Sequence, residues 1–231
     1  YRRNPRFPRF KPDANTALWF PGQDDPQSTT IRDRSGKGND GTLKTAGSPA
    51  WVRTDKGLWV LDFELSDPSY VSIAHDSSIN FTSSAFSIAM WIKVETLAAT
   101  AYIFNKSVAS VSGYALVYDT NGAMFITTNQ GAVSQSTNSA AGTITTGVWI
   151  FVVATRAAAV CKIYLDGADA TSVSGTHVDP VTNAGTAYWG GFDVGQFMYD
   201  GVSGLLLLES RAFSAAEVAS MYRQERGLFG V

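Results

Sequence analysis

Residues 146–167, TGVWIFVVATRAAAVCKIYLDG, constrain the fold more than any other part of this 231-residue chain. Two apolar, β-branched runs, 149–155 and 160–165, flank a small-residue break at 156–159. In the second run Cys161, Ile163 and Leu165 alternate with Lys162 and Tyr164, the period of two that puts one face of a strand in a core. Asp166-Gly167 closes the run, and both central residues of a type I′ turn need positive φ, which this pair tolerates well. The segment therefore predicts two antiparallel strands and the start of a third, at the centre of an all-β sheet.

A chain of this length can bury one sizeable core, since single β-sandwiches commonly run to about 200–250 residues. Its net charge of −2 argues against specific nucleic-acid binding. The single cysteine, Cys161, has no intrachain partner and falls at an inward strand position, so it reads as a small buried hydrophobe. No apolar run approaches the ~18 residues of a membrane span, and no signal peptide is recognisable. The first residue is Tyr1, which fits a processed chain and leaves secretion open.

Residues 1–16 read as an extended basic arm and 17–231 as the folded domain. Arg2, Arg3, Arg6, Arg9 and Lys11 are interleaved with Tyr1, Phe7 and Phe10, and Pro5, Pro8 and Pro12 deny the segment a helix or central strand. Three readings stand: a linker or strap across the domain's own surface; an arm that docks Arg2, Arg3, Arg6, Phe7, Arg9 and Phe10 onto a neighbouring copy, a capsid or a cell-surface lattice; and a weak, salt-sensitive nucleic-acid contact, which five positive charges without a basic body behind them disfavour.

In the loop DRSGKGNDGTL, Gly36, Gly38 and Gly41 match GxGxxG, but no strand precedes and no helix pattern follows, so a dinucleotide site is excluded. The glycines read as tight turns; Asp33, Asn39 and Asp40 offer the oxygen ligands calcium prefers, against the competing reading of a solvated loop with Asx-turns. FSIAMWIKV predicts a long strand with bulk on both faces, Trp91 opposing Ile88, Met90 and Ile92. Asn121-Gly122 predicts a hairpin. One helix follows Ser214, with a Ser214/Glu217 capping box, a Phe213/Val218 staple and Gly227 as its stop.

Taken in order, DRSGKGNDGTL, LDFE, SYVSIAHDSSINF, FSIAMWIKVE, GYALVYDTNGAMF, TGVWIFVVAT, KIYLDGADA and YDGVSGLLLLESRAFSAAEVASMY resemble the laminin-G-like, concanavalin A-like lectin/glucanase jelly-roll family. The resemblance implies an antiparallel two-sheet jelly-roll sandwich with one short C-terminal helix. It also implies a non-catalytic binding or adhesion module, facing a glycan or protein on an extracellular, cell or virion surface. In such proteins a calcium-ligating Asp lies in the loop matching DRSG, which carries over to Asp33, with Asn39 contributing. Gly204 and Leu205 stand where a second family carboxylate belongs, so any calcium site should be weakened.

The best ligand-binding chemistry lies in YWGGFDVGQFMYDG, where Tyr188, Trp189, Phe192, Phe197 and Tyr199 offer rings beside the polar Asp193, Gln196 and Asp200, and Trp189, Phe192, Asp193, Gln196 and Tyr199 are the expected ligand contacts. The competing reading places those alternate aromatics in the core. A structural assembly subunit using the basic arm is the alternative function. A glycoside hydrolase or lyase is disfavoured, because Glu64, Asp67 and Glu95 look isolated and no paired acids share one strand. His75 and His177 lack metal-ligand spacing. Asn80 and Asn105 each head an N-glycosylation tripeptide.

Overall fold

The computed structural model describes residues 10–22, 26–45 and 48–231. Among these, two antiparallel sheets face each other. The first contains β1 (Thr16–Phe20), β4 (Ala50–Arg53), β5 (Trp59–Phe63), β7 (Phe86–Val94), β12 (Trp149–Ala157), β13 (Val160–Leu165), β14 (Ala168–Asp169) and β17 (Gly201–Glu209). The second contains β2 (Thr30–Ile31), β3 (Gly41–Leu43), β6 (Val71–Ile73), β8 (Ala101–Val108), β9 (Ser112–Tyr118), β10 (Met124–Gln130), β11 (Val133–Ser139), β15 (Thr171–Val173) and β16 (Ala187–Trp189). One helix, α1 (Ala215–Phe229), follows the last strand.

Strands in the first sheet run β14-β13-β12-β7-β17-β5-β4, with β1 paired to the far half of β17. Residues 146–167 thus lie on one flank, and β7 with β17 forms the centre. The expected central position fails because β12 finds β7, a strand 55 residues upstream in register at Trp149↔Lys93, on its other side. The turn between β13 and β14 is as tight as expected: Asp166 and Gly167 have φ of 50° and 84°. The supposed break at 156–159 is shorter, since β12 continues to Ala157, which pairs with Val160. Arg156 is consequently buried, its guanidinium donating to the carbonyls of Thr82 and Ser84 and pairing with Asp179 at 2.6 Å.

The second sheet runs β15-β11-β10-β9-β8-β16-β6-β3-β2. β5 and β6, adjacent in sequence, therefore belong to opposite sheets. The Asn121-Gly122 hairpin joins β9 to β10, but through five residues: Asp119 N–H donates to the Ala123 carbonyl, and the Asp119 carboxylate accepts from Asn121 and Ala123 N–H.

Alternation sorts the side chains into two apolar layers. Leu61, Phe63, Ile88, Met90, Ile92, Cys161, Ile163 and Leu206 meet Ile103, Phe104, Tyr114, Leu116, Met124 and Trp189 between the sheets. On the outer face of the first sheet, Val60, Trp91, Phe151, Val153, Tyr164 and Leu207 meet Val218, Leu228 and Phe229 of α1. Bulk on both faces of β7 thus has a simple cause, one face for the opposite sheet and one for the helix. Burying such rings stabilises by roughly 1.5–3 kcal/mol each.

The Ser214 hydroxyl accepts from Glu217 N–H, and the Glu217 carboxylate accepts from Ser214 N–H at 2.8 Å, so the capping box forms. The helix passes through Gly227 and stops at Gly230, which is left-handed at φ 79°. Leu228 and Phe229 reach the sheet only if that extra half-turn forms, and their burial outweighs the helix penalty of Gly227, about 1 kcal/mol.

Candidate functional site

The segment between β16 and β17 folds back over the outer face of the second sheet. Gly190 starts the turn at φ 97°, where a Cβ would lie 2.3 Å from the Phe63 ring, so only glycine fits. Its N–H donates to the Ile103 carbonyl, and Tyr199 N–H returns to the Gly190 carbonyl. Between these anchors Phe192 N–H donates to the Gln196 carbonyl, and Asp193 and Gln196 form an isolated bridge around Val194-Gly195. The loop is tied to β8 at two points. Tyr102 N–H donates to the Phe197 carbonyl at 3.0 Å, and Asn105 Nδ2 donates to that of Phe192.

This folding exposes an aromatic platform. Phe192, Phe197 and Tyr102 pack mutually, with ring centroids 4.9 Å apart for Tyr102–Phe192 and 5.7 Å for Tyr102–Phe197. Phe197 remains 53% exposed and Val194 67%. The Phe197 backbone is left-handed, φ 47°, a conformation that costs an ordinary residue about 1–2 kcal/mol. The hydrogen bond to Tyr102 holds it there. On β16, Tyr188 stands beside the loop with its ring 5.5 Å from that of Tyr70. Burial raises the Tyr188 phenol pKa, and nearby Tyr70 and Asp193 add to the shift. The Asp193 Oδ1 is covered by protein without a hydrogen-bond donor.

Of the residues expected to bind a ligand, Phe192, Asp193 and Gln196 reach this surface. Trp189 and Tyr199 do not. Trp189 is 2% exposed, between Phe20 and Phe63, with its indole N–H on Ser203 Oγ at 3.2 Å. Tyr199 is fully buried, its hydroxyl donating to the Val202 carbonyl at 2.9 Å. Strand alternation explains the correction for Trp189: Tyr188 and Trp189 are neighbours on β16 and must point to opposite faces. Tyr188 and Phe197, rings of the same segment, do reach this surface, and Tyr70 and Tyr102, which the sequence did not single out, join them. The half-polar alternation of YVSI and YIFN marked Tyr70 and Tyr102 as facing outward, but only the tertiary fold brings them to the loop.

Asp33 and Asn39, expected as calcium ligands, do come together, but the acceptor positions of the Asp33 carboxylate are taken up within the protein. Asp33 Oδ1 accepts from Trp19 N–H and Ser35 N–H at 2.9 and 2.8 Å; Oδ2 accepts from the Ser35 hydroxyl and Asn39 N–H at 2.6 and 3.0 Å. Four donors fill the roughly four lone-pair positions of a carboxylate. Asn39 Nδ2 turns to the Ala17 carbonyl and Ser78 Oγ. This arrangement does not fit a calcium ion, which would have to displace those donors. Among the described residues no three His, Cys, Asp or Glu side chains form a metal-binding group.

Of the expected docking arm, Arg2, Arg3, Arg6, Phe7 and Arg9 lie outside the described residues. Phe10 packs edge-on against Trp19 at 5.2 Å, on the domain's own surface. His75 lies just past β6, 3.2 Å from Lys106 Nζ, and His177 is buried between Thr128 and Thr137 hydroxyls, each at 2.8 Å. Asn105 is 2% exposed, which closes its tripeptide to modification in the folded chain. The acids are less scattered than expected. Burial raises the Asp62 and Glu95 pKa values, with Asp200 repelling both and Glu64 also repelling Glu95, while Asp67 pairs with Lys44 at 3.0 Å.

Two sheets, the helix behind them and a ring-bearing loop across the outer face define a lectin-like jelly roll. Residues 65–219 match the family model described as the concanavalin A-like lectin/glucanases superfamily, and the chain belongs to that family. No curated protein matches it in sequence. The fold is similar to the binding domain of Paraclostridial Mosquitocidal Protein 1, with a TM-score of 0.74 and 17% identity, over 90% of this chain and 52% of that one. Botulinum neurotoxin type C, whose cell entry depends on interaction with two ganglioside molecules, aligns with a TM-score of 0.65 and 14% identity, over 91% and 51%. The binding domain of botulinum neurotoxin serotype G gives 0.66 and 17%, over 90% and 51%. This chain spans about half the length of these structures, and at such identities the likeness is one of fold.

Proposed function

We propose that the chain is a non-catalytic glycan-binding module working at a cell or virion surface, and that its ligand lies on the platform of Tyr102, Phe192 and Phe197 beside Tyr70, Tyr188 and Asp193. The observation that carries this reading is Phe197: an apolar ring left half in water by a backbone held in an unfavourable conformation. Such strain persists where surrounding structure enforces it, and it clusters at binding sites. Flat rings take the apolar faces of a sugar, while the Asp193 carboxylate and Gln196 amide take its hydroxyls. The ganglioside dependence of a fold neighbour supports a glycan as ligand, although gangliosides themselves are acidic. Asp193 has no cationic partner among the ion pairs of the described residues, so neutral sugars suit the site better than acidic ones.

A glycan array tests this. Saturable binding to neutral glycans, lost in Phe197→Ala and Asp193→Asn, is expected; a blank array, or binding indifferent to both substitutions, refutes it. Release of reducing ends from bound glycans would refute the non-catalytic part, with Asp62 and Glu95 the acids to substitute first. Docking through residues 1–12 is a separate proposal, resting on their Arg/Phe composition: their removal should leave the domain folded and change its oligomeric state.

A further inference from the structure

The outer face of the first sheet is not fully covered by α1. Where the helix ends, a cavity of about 470 Å³ opens between it and strands β4, β5, β17, β7 and β12. Register explains its chemistry. One outward-facing row across the sheet reads Asp62, Val202, Lys93, Trp149, because Val202 pairs with Asp62 on one side and Lys93 on the other, and Trp149 pairs with Lys93. The next row, Val60 and Trp91, lies under Phe229, whose ring stacks on Trp91 at 4.2 Å. The first row is left to line the cavity.

Asp62 and Lys93 therefore face the same space from either side of Val202, with Cα atoms two strand spacings apart, roughly 10 Å. They do not pair with each other among the ion pairs of the described residues. Asp62 Oδ1 is covered and accepts no hydrogen bond. A covered, unmet acceptor costs about 1–3 kcal/mol, so a missing donor is expected there. Val52, Val60, Trp149 and Phe229 supply apolar walls, and Arg53, Thr54 and Asp55 complete the polar lining. Trp149 is held in place by Phe229, 4.7 Å between centroids.

We infer that this cavity binds a small zwitterion of the amino-acid type, its ammonium on Asp62, its carboxylate on Lys93 and an apolar side chain against Trp149 and Phe229. An ammonium and a carboxylate carried on one carbon can each make a charge-assisted contact, one toward each strand. A neutral sugar would satisfy neither charge. The site lies on the first sheet and is independent of the glycan platform on the second.

Isothermal titration with L-leucine as the probe tests it on the intact protein. Leucine should bind saturably, while leucinamide and 4-methylpentanoate, each lacking one charge, should bind about tenfold more weakly or worse. Asp62→Asn and Lys93→Gln should each weaken leucine by a similar factor, and Phe197→Ala should leave it unchanged. No heat at millimolar leucine overturns the inference, as does equal binding of the analogues or of glucose. The analogue series needs no variant, so a misfolded substitution cannot obscure the answer.

Discussion

Glu225 Oε2 accepts the indole N–H of Trp91 at 2.9 Å, joining the last helix to the middle of the first sheet across 134 residues of chain. Both partners are buried, and this is the hydrogen bond that orients α1 over the outer apolar layer. Burial raises the Glu225 carboxyl to about 7, against a small opposing effect of the Trp91 bond. Folding therefore favours its protonated form. That contribution is complete below the unfolded value of 4.5 and fades as pH rises through about 7.

Stability should accordingly fall between pH 5 and pH 8 by roughly 3 kcal/mol from this group alone. Glu225→Gln keeps a hydrogen-bonding side chain without the proton and should flatten that limb. Melting temperatures of the two proteins across the range give the comparison; parallel curves would show that Glu225 does not titrate between them.

His177 acts at the acid end. Burial, with help from Arg156, lowers its pKa to about 4. The neutral ring between Thr128 and Thr137 is favoured in the fold, so its contribution is present above 6.5 and lost as pH falls through about 4. Relative to His177→Asn, the native protein should lose more stability between pH 6.5 and pH 4. Chemical denaturation at those two pH values measures the difference.

The ring-bearing loop separates folding from binding. Trp189→Ala should destabilise by about 3–5 kcal/mol, because it empties a core position between Phe20 and Phe63. Phe197→Ala should change stability by only about 0.5 kcal/mol, yet abolish glycan binding. Urea titration and the array together decide; equal stability losses would place Phe197 in the core as well.

For the Asp33 loop, melting temperature should not respond to calcium or to chelator, since a ligand of the native state alone raises stability by mass action. Asp33→Ala should cost roughly 2–4 kcal/mol by stranding the N–H groups of Trp19 and Asn39. A calcium-dependent rise in melting temperature that Asp33→Ala removes would reinstate the metal.

Cys161 offers a check on the inner layer. Burial pushes its thiol up to about 12, and it touches the shared core. A thiol reagent should leave it unmodified until denaturant is added; rapid labelling of the native protein would show that β13 opens.

The sequence by itself determined the local pieces, for local reasons. A period of two placed Cys161 and Ile163 inward. Asp166-Gly167 specified its turn through positive φ, and Ser214 with Glu217 capped the helix. Partnership was decided only by tertiary structure. Nothing in β12 announces that β7 lies beside it, or that Asp62 and Lys93 will flank Val202. Nor does the loop show that Trp189 turns inward while Phe197, eight residues on, turns out. Alternation gives a strand two faces but does not say which one meets water, and that is settled by which other face has the apolar area to cover it.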